Sequence, residues 1–181
     1  MSVFTNPSIS TSQQTAAYVG AVLELLGDRD ALPVLRGMRA ALQAAIASHP
    51  PARLRAPEAP GKWSVAQVVQ HLADSEIVWA WRLRLILAQD RPQLTGYDQD
   101  RWAARLGYED ANPSEALEEF SVVRRANLRL LERASPADFA RSGVHAERGE
   151  ESLAHLQRLY AGHDLLHRRQ IDRILAASRP G

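Results

Sequence analysis

The sequence predicts an all-α protein, a four-helix bundle preceded by a short extra helix, and three observations carry that expectation. Four long stretches, at about 31–48, 65–89, 113–133 and 150–177, repeat apolar residues at spacings of three and four. Their ends fall on prolines or capping residues. No run sustains the period-two alternation of a half-buried strand. At 181 residues, with 45% hydrophobic and 24% charged, the chain suffices for one domain with a sizeable core. Residues 1–11 read as a loose polar tail and 12–181 as a single helical domain.

Taken in order, Tyr18, Val19, Val22, Leu23, Leu25 and Leu26 give the short first helix, which Gly27 ends in the manner of a C′ glycine. Asp28 or Asp30 caps the next helix, with Pro33 in its first turn and His49-Pro50-Pro51 at its end. A proline-rich connection over 50–62 follows. Ser64 and Gln67 form a capping box, so a helix starts near Val65 and runs to about Gln89. Residues 91–111 read as a loop with a short helical piece at Gln99 to Arg105. Asn112-Pro113 opens a helix to about Arg133, with Glu115, Glu118 and Glu119 near its favourable N-terminal end. Ser135-Pro136 starts a short turn through Phe139, RSGVHAERGEES reads as a loop, and Glu150 or Glu151 opens the final helix.

Composition excludes several classes. A formal net charge of +1 with dispersed basic residues argues against nucleic acid as partner. The absence of cysteine removes disulfide scaffolds, thiolate metal sites and cysteine nucleophiles. MSVFTNPSIS lacks the pattern of a signal peptide, and no apolar run approaches the roughly 20 residues of a membrane span. The expected setting is the cytoplasm, with a small-molecule substrate and no membrane partner.

The chemistry concentrates in LQRLYAGHDLLHRRQIDRIL at 156–175. At about 100° per residue, His163 and His167 point within roughly 20° of Leu156 and Ile171, in the middle of the apolar stripe. Burying two unpartnered imidazoles costs on the order of 1–3 kcal/mol each. They are either core histidines bonded to neighbouring helices or an i, i+4 pair sharing one metal ion. A third ligand would decide between the two. His71, on the helix from Val65, can face the pair across a bundle, with His145 in its loop as a competitor. Three histidines would leave a position for water or substrate, and imidazole suits zinc, nickel, copper or iron.

G-K-W-S at 61–64, H-L-A-D-S-E at 71–76, D-Q-D-R-W-A at 98–103, G-V-H-A-E-R-G at 143–149 and G-H-D-L-L-H-R-R-Q-I at 162–171 resemble the DinB-like superfamily, and within it the branch of YfiT-type metal-dependent hydrolases. The resemblance covers roughly residues 15 to 177. It implies an up-down-down-up bundle, often a homodimer, and a divalent metal, zinc or nickel foremost, held by His71, His163 and His167. It further implies a metal-dependent enzyme that activates a low-molecular-weight thiol for transfer to an electrophile. Water-based hydrolysis and a non-catalytic metal-binding stress protein are the alternatives.

Further residues are expected near such a site. Glu76, on the inner stripe, orients a ligand or acts as base, or else pairs with Arg82 or Arg125. His145 reaches the mouth of the site or caps the final helix. Gln170 shares the histidine face and can hold a ligand ring. Asp164 points about 100° away from His163 and reads as a surface acid or dipole partner. Arg124 reads as part of a solvated face or as a contact for an anionic thiol, Trp63 as a packing residue, and Tyr97 as part of the pocket wall.

Overall fold

The computed structural model describes residues 12–177; the tail expected at 1–11 lies outside the described residues, as do residues 178–181. The chain forms α1 (Ser12–Leu26), α2 (Ala31–Ala47), α3 (Pro51–Arg55), α4 (Val65–Ala88), β1 (Gln93–Leu94), α5 (Gln99–Arg105), α6 (Pro113–Arg133), α7 (Pro136–Ala140), β2 (Ser142–His145), β3 (Gly149–Ser152) and α8 (Leu153–Ala177). A 3-10 turn at Tyr108–Asp110 precedes α6. Among the described residues, no helix is long and apolar enough to cross a membrane.

The helix boundaries follow the capping chemistry. Gly27 takes φ +60° after α1, and the Asp30 side chain accepts from the Leu32 N–H at the start of α2. The Ser64–Gln67 capping box closes in both directions, at 3.3 and 2.8 Å. Asn112 caps α6 and Ser135 caps α7, each followed by a proline whose missing N–H costs nothing in a first turn.

Four long helices make the bundle. α2 packs on α6 and α8, and α4 packs on the same two, so α2 and α4 lie on one diagonal. Side-chain pairs set the directions. Gln70–Glu119 and Glu76–Arg124 advance together, so α4 and α6 run parallel. His71–His163 and Arg82–Tyr160 advance oppositely, so α4 and α8 are antiparallel. Leu35 clusters with Leu131 and Leu156, and Met38 and Leu42 with Phe120 and Ile171; α2 therefore runs against α6 and along α8. This is the up-down-down-up arrangement. α1 packs outside the ring, on α8.

Three short strands were not expected. β1 pairs parallel to β2, and β2 pairs antiparallel to β3, over a region read from sequence as loop. Strands of two to four residues are too short for alternation to register. Glu150 and Glu151 accordingly lie in β3, and the final helix opens only at Leu153. Gly143 permits the close approach of β1: a Cβ there would lie 2.8 Å from Leu94 Cγ.

The core is apolar at both ends and polar in the middle. Trp79, Leu83, Leu131, Leu156 and Tyr160 belong to one cluster, and Val68, Leu72, Phe120, Ile171 and Ile174 to the other. Between them along the helices fall Glu76 on α4, Arg124 and Asn127 on α6, and His163, Asp164 and His167 on α8. All are buried except the half-buried His163. Such a layer is costly unless every member is paired.

Candidate metal centre

His163 and His167 stand one turn apart on α8, and the antiparallel α4 brings His71 across to them. Their Nε2 atoms converge: His163 Nε2 is 3.3 Å from His71 Nε2 and 3.1 Å from His167 Nε2. His167 Nδ1 lies 2.8 Å from Gln170 Oε1. An amide oxygen only accepts, so this contact puts the proton on Nδ1 and leaves the His167 Nε2 lone pair free. A neutral His163 can then donate from Nε2 to one neighbour but not satisfy both contacts linearly. A cation satisfies all three nitrogens at once. Four ligands at the 2.0–2.1 Å of a zinc–imidazole bond stand about 3.3 Å apart at tetrahedral corners, close to the separations here. The residues fit a divalent metal.

The electrostatics agree with that use. Burial drives the His71 and His163 pKa values well down, with mutual repulsion among the rings adding to it. Burial lowers His167 to about 4, against the Gln170 hydrogen bond, which raises it. All three rings are therefore neutral at pH 7, the form that binds metal. The Trp63 ring packs 5.1 Å from the His71 ring, so the tryptophan before the capping box helps to wall the site. His71 Nδ1 is buried without a partner among the described residues.

Two cavities flank the cluster. One of about 60 Å³ reaches His163 and is lined also by Ser75, Arg82, Tyr97, His145 and Tyr160. A cleft of about 500 Å³ reaches His167 and Gln170 and is bordered by Trp63, Lys62, Arg169 and Arg173. Tyr18 and Gln99 border both. The Ser75 hydroxyl sits 3.4 Å from His71 Nε2 and 2.7 Å from the Tyr97 hydroxyl, and burial raises the Tyr97 pKa, keeping that phenol protonated.

Glu76 meets none of the histidines. Its carboxylate accepts from Arg124 at 2.8 Å and from Asn127 at 2.7 Å, and neither Arg82 nor Arg125 is its partner. Arg124 and Asp164 both differ from their expected surface roles. Arg124 is 3% exposed, forms a second ion pair with Asp164 at 2.6 Å and donates to the Leu35 carbonyl. Asp164 does point away from His163, but toward α6 rather than solvent. His145 is 1% exposed at the end of β2, on the wall of the His163 cavity, with burial lowering its pKa to about 4. Sequence reasoning gave no role to Ser75 and assigned Arg82 another partner; the available signal was their placement about one and about three turns after His71 on the same helix.

The sequence profile of the DinB superfamily matches residues 35–171. A protein of Geobacillus thermodenitrificans named "Putative metal-dependent hydrolase" is 33% identical over 77% of this chain and 79% of its own length. An Oceanobacillus iheyensis protein of the same description is 33% identical over 59% of this chain, which spans 62% of that relative. Among solved structures, YfiT from Bacillus subtilis superposes with a TM-score of 0.74 at 28% identity, over 80% of this chain and 83% of YfiT. It is described as "a probable metal-dependent hydrolase with an unusual four-helix bundle topology". With the profile spanning most of its length and the bundle shared with YfiT, the chain belongs to the DinB superfamily.

Proposed function

We propose that the protein is a metal-dependent hydrolase in which His71, His163 and His167 hold one divalent cation. The observation that carries this reading is the convergence of three neutral Nε2 atoms, 3.1 and 3.3 Å apart, beside a cavity that can admit a substrate. When bound, a divalent metal supplies Lewis acidity that brings the pKa of a water or thiol toward neutrality. The chain's own groups do the rest. Gln170 Oε1 keeps the proton of His167 on Nδ1. Ser75 and the protonated Tyr97 are hydrogen-bonded to each other, and the pair offers its one remaining O–H to an oxygen gaining negative charge on the His71 side. Glu76, held by Arg124 and Asn127, positions α4 against α6. His145, with its pKa near 4, acts as a hydrogen-bonding group and not as a base.

Thiol transfer is the second reading, and the paired cavities favour it. A site entered from two sides, at His163 and at His167, suits two reactants, a low-molecular-weight thiol and an electrophile. The homodimer implied by the resemblance has candidate contacts in Ile77 and Trp81 of α4 and Val122 of α6, which stay 49%, 60% and 57% exposed.

Elemental analysis of untagged protein beside His167→Ala tests the site: about one equivalent in the wild type and little in the variant is expected, and equal content refutes it. The zinc and nickel forms are then assayed on 4-nitrophenyl esters, and on 1-chloro-2,4-dinitrobenzene with added thiols. Turnover of the esters without thiol supports hydrolysis, turnover only with thiol supports transfer, and activity indifferent to a chelator removes both. Sedimentation equilibrium of the wild type and Trp81→Glu tests the dimer.

A further inference from the structure

Among the described residues, Arg82 is a buried cation without an anion. It is 5% exposed, yet among the described residues no carboxylate lies within ion-pair distance. Among the described residues its contacts are the Thr95 carbonyl at 2.6 Å, His145 Nε2 at 3.2 Å and the Tyr160 hydroxyl at 3.4 Å, while its Nε has no acceptor. The other deeply buried arginine, Arg124, has two carboxylates. A guanidinium taken out of water is retained at a large desolvation cost unless something compensates it.

The contact with His145 is itself frustrated. His145 Nδ1 accepts from the Glu147 backbone N–H at 3.2 Å, which leaves the ring proton on Nε2. That Nε2–H then faces Arg82 Nη2, which can only donate. Two donors confront each other on the wall of a cavity that also reaches His163. An anionic acceptor beside them relieves the conflict and neutralises the guanidinium.

We propose that Arg82, with His145 and Tyr160, forms a subsite for a carboxylate group of the substrate, whose reacting bond then lies toward His163. The charge count selects a monoanion. Arg148, which also lines the cavity, is already matched by Glu151 through contacts of 2.6 and 2.8 Å, so Arg82 alone is uncompensated. Glu147 is exposed at the rim and opposes a dianion. A cavity of about 60 Å³ has room for a small planar group beside the histidine. That the carboxylate belongs to a substrate rests on the function proposed above; the anion subsite does not.

Ligand-observed NMR on the methyl resonance of acetate, titrated into metal-free protein at constant ionic strength with chloride, tests the subsite. Saturable binding is expected, weakened about tenfold or more in Arg82→Lys, whose point charge cannot replace the planar fork. His145→Phe is expected to weaken it as well. Absence of saturable binding overturns the subsite, and so does binding unchanged in both variants. A preference for inorganic phosphate over acetate overturns the carboxylate assignment. If Arg82→Lys does not fold, the wild-type titration and His145→Phe decide. Because the protein is metal-free, acetate bound to a cation cannot mimic the result. Acetate binding in a protein that takes up no metal would keep the subsite and discard the metal-centre reading.

Discussion

Replacing Gly162 by alanine probes the contact that seats the first helix beside the histidines. Gly162 immediately precedes His163 on α8, where α1 crosses, and an added Cβ would lie 2.6 Å from Val22 Cγ1 and 3.0 Å from the Val22 carbonyl carbon, overlapping its oxygen. Carbon atoms rest about 3.5–4.0 Å apart, so α1 must retreat by roughly 1 Å. The obstacle is helix backbone rather than the end of a flexible side chain, and Val22 is fully buried. Overpacking of this kind costs about 1–3 kcal/mol, and alanine recovers about 1 kcal/mol of helix propensity. With a rigid carbonyl in the way, the net expectation is a loss of about 1–2 kcal/mol. At about 2–4 °C per kcal/mol for a chain of this size, Tm falls by roughly 2–8 °C. Gly37→Ala in α2 is the control, since nothing lies within 4 Å of its added Cβ, and it should gain up to about 1 kcal/mol. Urea denaturation of the metal-free variants at pH 7 reads both. Equal stability of the two alanine variants would refute the packing assignment.

Four other outcomes are expected. Arg124→Met strands the buried Glu76 and Asp164 carboxylates and should cost about 3–5 kcal/mol in urea unfolding, whereas Arg36→Met, at a surface pair with Glu132, should cost about 1 kcal/mol or less. Gln170→Leu frees the His167 ring and should weaken zinc binding about 10–100-fold in a chelator competition; an unchanged affinity would show that the 2.8 Å contact does not matter. Metal at about 100 times its Kd should stabilise the fold by about 2.7 kcal/mol in thermal melts, and a chelator should reverse the gain. For pH, His145 has a folded pKa near 4 against an ordinary value of 6.5, so the unfolded chain takes up a proton that the native chain refuses. Its contribution to stability is therefore intact above about pH 6.5 and lost as the pH falls toward 4, by up to about 3 kcal/mol. Titration of metal-free His145→Gln should show a shallower acid loss over that window.

Helix positions were legible in the sequence because each cap, proline and apolar stripe acts within a turn or two of itself. The pairing of His163 and His167 was legible because both occupy the centre of one apolar stripe, but spacing left His71 and His145 as rivals for the third place, and the family resemblance pointed to His71. The sheet was not legible, since β1 and β2 are joined by a parallel pairing between residues about 50 positions apart. The polar layer was misread for a related reason. Helical angles place Asp164 off the histidine face correctly, but only the packing of α8 on its neighbours decides whether that direction meets water or Arg124. His145 was seen as a loop residue, and it took the β2–β3 hairpin to turn it toward Arg82.

The Glu76–Arg124–Asp164 assembly also limits how this lineage can drift. Each of its members is 1–3% exposed, so losing Arg124 alone leaves two unmatched carboxylates out of reach of solvent, whereas losing either acid leaves the guanidinium its other partner. Replacement of Arg124 on α6 is tolerable only when Glu76 on α4 and Asp164 on α8 change in concert, for example to an apolar trio of equal volume. Three helices far apart in the chain are thereby bound to a common mutational fate, at the level where the histidines meet.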